Sequence, residues 1–203
     1  LRNMHEHRLF DPDAIEVWDA QLIPSANYIH AQRKAFLTEF IPVFKRFYQE
    51  IGQNAEEVDV QYRSQLFDSD FETLLQTSAQ KDALTQYTNV GVHKDDLLFS
   101  IKGHPVKKFG SQGQQKSFII ALRLAQFDWL KQHKGQKPVL LLDDIFDKLD
   151  NERVARLIAL VSADYFGQVL ITDTDPERMQ ALFAQLPGQT QLFQIKDQQA
   201  IAL

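Results

Sequence analysis

Asp143 and Asp144 close the apolar run of PVLLLDDIFDKLD, so four hydrophobic residues lead directly into two adjacent carboxylates. A buried strand ending this way places both acids at its carboxyl edge, where open α/β sheets bind ligands. Paired acids at that edge suit a hard cation, because Mg²⁺ is usually held by one or two carboxylates together with phosphate oxygens. One acid can orient metal-bound water while its neighbour polarises an attacking water. A strand end carrying two solvated acids gives the same string, and the pair alone leaves both readings open. The upstream segment FGSQGQQKSFIIALRLAQ, residues 109–126, adds a second group. Ser111 can cap a helix by accepting from a backbone N–H, and Gln114 stands at the reciprocal capping-box position. Exposed amides and a hydroxyl at a helix start suit an anion, and Gly113 permits a close backbone approach. A well-capped helix without a ligand is the plain alternative. Together, in this order and about thirty residues apart, the two segments are specific.

These residues need a frame. A helix is expected over about 112–133, burying Phe118, Ile119, Leu122, Ala125 and Leu130. PVLLLDD is a continuous apolar strand of the kind buried on both faces of a parallel sheet. Helix (about 151–163), strand (168–172), helix (176–185) and strand (190–195) follow, an alternation that implies an α/β layer with a parallel sheet. Upstream, Ile15, Trp18, Leu22, Ile29, Phe36, Phe40, Phe44, Phe47 and Ile51 recur at helical spacing, which predicts long amphipathic helix. Pro24 and Pro42 favour a kink or break in it. The stretch is either a helical arm or two ordinary helices on a core. Val58, Val60 and Tyr62 alternate as a short strand. Ser69 with Glu72 makes a capping-box pattern for a helix to about Tyr87, and DLLFSIKGHPVKKF reads as two strands turning at Lys102-Gly103.

Composition narrows the class. The chain has 203 residues, 44 % hydrophobic and 24 % charged, with a net charge of −5. That balance gives no overall attraction to nucleic acid, so any such contact needs a local basic face or a second chain. The absence of cysteine excludes disulfides and thiolate metal sites. No apolar run is long enough to span a membrane and no secretory signal opens the sequence, so a cytoplasmic location is expected. The chain begins at Leu1 with its first methionine at Met4, which reads as a piece of a longer protein.

GSQGQQKSFIIALRLAQ resembles the signature segment of ABC-type ATPase heads, LLLDD their Walker B strand and DKLD their D-loop. The Gln-Gln signature, the ALRLAQ helix and the upstream GVHKDDL together resemble the RecF family of recombination and repair ATPases, relatives of the SMC proteins. The similarity covers nearly all of residues 85–185. It implies an α/β fold, the C-terminal lobe of an ABC-type P-loop ATPase head with a parallel sheet flanked by helices (residues 91–203), preceded by a helical arm domain (residues 1–90). By the same resemblance, Ser111, Gly113, Gln114 and Gln115 form the signature that contacts the γ-phosphate of ATP held by the opposing subunit. Asp143 binds Mg²⁺ through water and Asp144 takes the place of the catalytic acid. Asp147, Leu149 and Asp150 form the D-loop across a homodimer interface, and Asp173 and Thr174 stand in the switch segment. DNA at gaps or single-strand/double-strand junctions is the implied partner, with RecO and RecR as functional partners in loading the recombinase.

The sequence departs from the general ABC pattern. Gly110 replaces the usual signature leucine, Gln112 stands for a glycine or basic residue, Asp144 replaces the usual glutamate, and the switch histidine is missing. These departures fit an ATP-gated clamp with slow hydrolysis. No G-x-x-x-x-G-K-[ST] phosphate loop occurs: GHPVKKFGS lacks the spacing and KGQKPV has no second glycine. ATP and Mg²⁺ are therefore expected to require an N-terminal half. Lys107 and Lys108 read as DNA-phosphate contacts or as a solvated pair. His93, Asp95 and Asp96 read as a metal cluster or as a hydrogen-bonded knot, the latter favoured by the resemblance. The alternatives in function are another SMC-like ATPase fragment, or a non-enzymatic interaction module with vestigial acids.

Overall fold

The computed structural model describes residues 12–52, 56–162, 165–184 and 190–203. The first eleven residues of the expected arm region and Gln185, at the end of an expected helix, lie outside them. Helix α1 (Pro12–Gly52) is followed by β1 (Val58–Arg63), α2 (Phe71–Thr85), β2 (Asp96–Ile101), β3 (His104–Pro105) and the short α3 (Val106–Phe109). Then come α4 (Gln112–Lys134), β4 (Leu140–Leu142), α5 (Asn151–Val161), β5 (Val169–Ile171), α6 (Pro176–Phe183), β6 (Phe193–Lys196) and β7 (Gln199–Ala202). No helix among the described residues is long and apolar enough to cross a membrane.

The helix α1 runs unbroken through both Pro24 and Pro42, against the expectation of a break. An interior proline costs about 3 kcal/mol. Flanking side chains outweigh that cost: Ala26 beside Pro24, and Phe40, Phe44, Phe47 and Tyr48 around Pro42, are all buried, each large one contributing roughly 1.5–3 kcal/mol.

The chain divides into two compact units, one of Leu1–Ile41 with Asp59–Ser100, the other of Pro42–Val58 with Ile101–Leu203. In the first unit Ala26, Phe71, Leu75 and Val90 form a core, with Ile23, Leu66, Leu74 and Val92 packed on it. The helix α2 is capped by Asp70 rather than by Ser69: its carboxylate accepts from both the amide and the hydroxyl of Thr73, a stronger acceptor than serine. Gly91 is obligatory beside this core. Its φ is +111° and a Cβ there would sit 2.5 Å from the Phe71 ring.

Asp95, with a side chain 5 % exposed, accepts from Arg33 at 2.6 Å and from the Tyr62 hydroxyl. Arg33 also donates to the carbonyl of Val92, and His30 Nδ1 lies 3.2 Å from the Tyr62 oxygen. His93 meets the Thr88 carbonyl and Asp96 the Leu97 amide. The three residues read as a possible metal cluster thus share no partner with one another, and no metal-holding cluster occurs among the described residues.

The second unit is built on aromatic packing. Phe44 meets Phe118 with ring centroids 4.7 Å apart, and Phe166 packs on Phe127 at 4.9 Å. Leu124, Leu157 and Ile158 are fully enclosed. On α4 the buried face is Phe118, Ile120, Ala121, Leu124, Ala125 and Phe127. Ile119 is exposed and Leu122 and Leu130 half-buried, so the expected face was rotated: the aromatic contacts of Phe118 and Phe127 set it. The strands β4 and β5 pair in parallel, with Leu140 opposite Val169 and Leu142 opposite Ile171. Burial on both faces was expected, yet Leu141 is 68 % exposed and Leu170 50 %. Alternate residues of a strand face opposite sides, and on β4 only the Leu140/Leu142 side is buried. The hairpin β6–β7 is antiparallel, Phe193 opposite Ala202.

Candidate functional site

Ser111 begins α4 as the sequence predicts. Its hydroxyl accepts from the Gln114 amide at 3.2 Å, and Gln114 Oε1 accepts from the Ser111 amide at 2.6 Å, completing the capping box. Two of the orphan donors at the helix start are thereby satisfied, which leaves the amides of Gln112 and Gly113 with no helical carbonyl to meet. Gln115 turns back to donate to the carbonyl of Gly110. At Gly113 a Cβ would lie 3.1 Å from the carbonyl oxygen of Lys148 and 3.5 Å from the Arg153 guanidinium. The glycine admits a close approach, and the group that makes it is the loop after β4.

That loop carries the paired acids. Asp143 and Asp144 are both exposed at the carboxyl end of β4. Thr172, directly after β5, donates its hydroxyl to Asp143 and accepts from the Asp144 amide at 3.2 Å. Asp144 has φ +46° and Lys148 φ +66°, so the backbone turns sharply after the strand. Aspartate tolerates this left-handed region better than most residues. Lys116 of α4 donates to the Asp144 carbonyl at 2.7 Å. Asp147 is exposed with Lys148 3.8 Å away, and Leu149 closes a turn onto the Phe146 carbonyl.

Asp150 caps α5 by accepting from the Arg153 amide at 2.8 Å, and pairs with the Arg153 guanidinium at 3.4 Å. The same guanidinium reaches Ser117 of α4 at 3.3 Å. The start of α4, the acid pair and the Asp147–Asp150 loop are thus cross-linked within one unit by Lys116, Thr172 and Arg153. An exposed pair of carboxylates, one already oriented by a hydroxyl, fits a hydrated Mg²⁺. Two unpaired amides with a serine hydroxyl fit a phosphate.

The segment of Asp173 and Thr174 is arranged differently from the acid pair. The Asp173 side chain is fully enclosed, paired with Arg178 and accepting from the Asp175 amide at 2.7 Å. Burial pushes its carboxyl up, but Arg178 and the amides outweigh this and hold it below the ordinary value. Thr174 is exposed, and Thr172 is the member of the segment that touches the acids. Parallel register gives the signal for it: with Leu142 opposite Ile171, the next residues in step are Asp143 and Thr172. Lys107 and Lys108 lie exposed on α3, Lys108 over the Phe109 ring.

One further carboxylate belongs to the site. Glu56, in the link between α1 and β1, accepts from the Gln114 side-chain amide and from the Tyr48 hydroxyl. Its distance along the chain hides it from any local motif.

No family model matches the chain. Curated relatives do. The DNA replication and repair protein RecF of Flavobacterium johnsoniae is 52 % identical over 173 residues, 85 % of this chain and 48 % of that protein. The RecF of Porphyromonas gingivalis is 41 % identical over 93 % of this chain and 52 % of that protein. The chain spans about half the length of the curated relatives it matches. Among solved structures, the recombination mediator protein RecF with ATP, of the RecFOR pathway, superposes with a TM-score of 0.73 at 24 % identity, over 96 % of this chain and 51 % of that one. An Smc head domain with a coiled coil and joint from Pyrococcus yayanosii superposes with a TM-score of 0.52 at 13 % identity, over 94 % of this chain and 32 % of that one. The likeness to RecF read from the signature-like segment and LLLDD is borne out along most of the chain, and the fold is that of the solved RecF and of the Smc head domain.

Proposed function

We propose that this chain, similar in sequence and fold to about half of a RecF protein, forms the C-terminal half of a RecF-type DNA-repair ATPase and offers half of a nucleotide site to a second subunit. The observation that carries this reading is the cross-linking of the Ser111–Gln114 cap to the acid pair. Lys116 holds the Asp144 carbonyl and Arg153 spans Asp150 and Ser117. A cap, a metal-binding acid and a water-polarising acid held in one rigid relation is what a shared ATP site requires of its signature-bearing subunit.

In this reading the second unit is the C-terminal head lobe and the first the arm. Ser111 and the amides of Gln112 and Gly113 receive the γ-phosphate of an ATP bound by the partner. Gln114 and Gln115 shape the cap. Within its own subunit, Asp143 holds water-coordinated Mg²⁺ and Asp144 positions the attacking water, with Thr172 orienting both. Asp147, Leu149 and Asp150 lie at the dimer interface. Asp173 and Thr174 support the segment that carries Thr172. The exposed Leu141 and Leu170 suit a larger head in which further chain covers this face.

The ATP-closed homodimer acts in the cytoplasm as a slow clamp on DNA at gaps or single-strand/double-strand junctions. There it works with RecO and RecR to load recombinase, and Lys107 and Lys108 add to the basic face. Ser111→Arg in the intact protein tests the reading. ATP-driven dimerisation is expected to collapse while each subunit still binds ATP at its own phosphate loop; unaltered dimerisation overturns it.

A further inference from the structure

Gln114 is held at both ends of its side chain. Oε1 accepts from the Ser111 amide and Nε2 donates to Glu56. Reversing the amide would set donor against donor at Ser111 and acceptor against acceptor at Glu56, so its orientation is determined. Glu56 is anchored in turn. The Tyr48 hydroxyl donates to its other carboxylate oxygen at 2.8 Å, and Tyr48 is buried, its ring 6.0 Å from that of Phe118 on α4. Partial burial pushes the Glu56 carboxyl up, but the bonds from Gln114 and Tyr48 and the charge of Arg153 outweigh it and leave it below its ordinary value. The group is therefore ionised at neutral pH, and hydrogen bonds to a charged acceptor are the strong ones.

We propose that Glu56 is the positioning residue of the signature cap: acting through Gln114, it fixes the hydrogen bond that holds Ser111 in place to receive a phosphate. This rests on reading Ser111–Gln114 as the half-site offered to the partner's nucleotide. Glu56 does not touch that nucleotide. A carboxylate facing a polyphosphate would repel it, and the Gln114 amide stands between them, with one N–H spent on Glu56. The phosphate contacts fall instead to the Ser111 hydroxyl and the amides of Gln112 and Gly113.

The test compares Glu56→Ala, Glu56→Gln, Gln114→Ala and the double variant Glu56→Ala/Gln114→Ala in the intact protein, with Ser111→Arg as reference. Hydrogen exchange at the Ser111 and Gln114 amides is followed without nucleotide, and dimerisation is titrated with ATP. Glu56→Ala is expected to speed exchange about tenfold and to raise the ATP concentration for half-maximal dimerisation by a similar factor, the worth of one charged hydrogen bond. ATP affinity of the dilute monomer stays unchanged. Glu56→Gln accepts from Gln114 and donates to the Tyr48 oxygen, and restores both readouts to within about twofold. Glu56→Ala adds nothing once Gln114 is alanine.

Unchanged exchange in Glu56→Ala, no rescue by Glu56→Gln, or a full Glu56→Ala effect without Gln114 overturns the proposal. The underlying reading fails separately: dimerisation unaffected by Ser111→Arg removes the shared site, while the exchange rates still judge Glu56.

Discussion

The sequence contains two Asp-Asp pairs next to strands, KDDL at Asp95–Asp96 and LDDI at Asp143–Asp144, and the molecule treats them oppositely. Asp95 and Asp96 lie where the chain enters β2; Asp143 and Asp144 lie where it leaves β4. Asp95 is enclosed, bonded to Arg33 and Tyr62, and its charge is spent holding α1, β1 and the turn at Val92 together. Asp143 and Asp144 are exposed, and their main anchor is one threonine hydroxyl. Acids at the start of a strand can be absorbed into packing. Acids at the carboxyl edge of a parallel pair are left for a ligand.

The largest expected effect separates the two pairs. Asp144→Asn in the intact protein is predicted to lower ATP turnover by about a hundredfold or more and to trap the closed dimer, with the thermal midpoint nearly unchanged. Asp95→Asn is predicted to do the reverse. Turnover stays within about twofold, while stability falls by roughly 2–3 kcal/mol, as for a buried charged hydrogen bond. Arg33 is 44 % exposed, which keeps the loss below that of a fully buried pair. Steady-state turnover and urea unfolding of both variants decide the matter, and a large turnover loss in Asp95→Asn would erase the distinction.

A smaller effect sharpens it. Asp173 sits near the exposed pair yet resembles Asp95, since Arg178 holds its carboxyl below the ordinary value of 3.8. A depressed folded-state pKa gives stability that is present above the unfolded value and lost as pH falls through the folded one. Asp173→Asn is therefore expected to cost about 1 kcal/mol near pH 7. The gap from the parent should close as pH falls below the ordinary carboxylate value. Urea midpoints measured from neutral to acid pH show it; a gap that persists in acid would mean that packing, not charge, is what the substitution removes.

Much of the site is legible because its signals are local. Ser111 and Gln114 are three residues apart and cap the helix as the pattern demands. LLLDD ends its strand where apolar residues give way to acids. Other features depend on distant partners. Pro24 and Pro42 argue locally for a break, and only the burial of their neighbours outweighs them. The buried face of α4 follows Phe44, Tyr48 and Phe166, which pack on Phe118 and Phe127, and not its own periodicity alone, which is why Ile119 is exposed. Glu56 meets Gln114 across 58 positions and Arg153 meets Ser117 across 36, and neither belongs to a motif. Thr172 lay within reach, since parallel pairing sets it beside Asp143.

The central claim is that the cap serves another subunit's nucleotide, and a mixing experiment tests it most directly. One intact subunit carries Ser111→Arg; the other has an alanine in place of the lysine of its phosphate loop, expected in the portion outside this chain. Each variant alone should fail to dimerise with ATP. Mixed, they are predicted to form ATP-dependent heterodimers, because the phosphate loop of the first and the Ser111 cap of the second make one complete site. Mixtures as inactive as the separate variants, with both subunits folded, would contradict the account and place the cap in its own subunit's site.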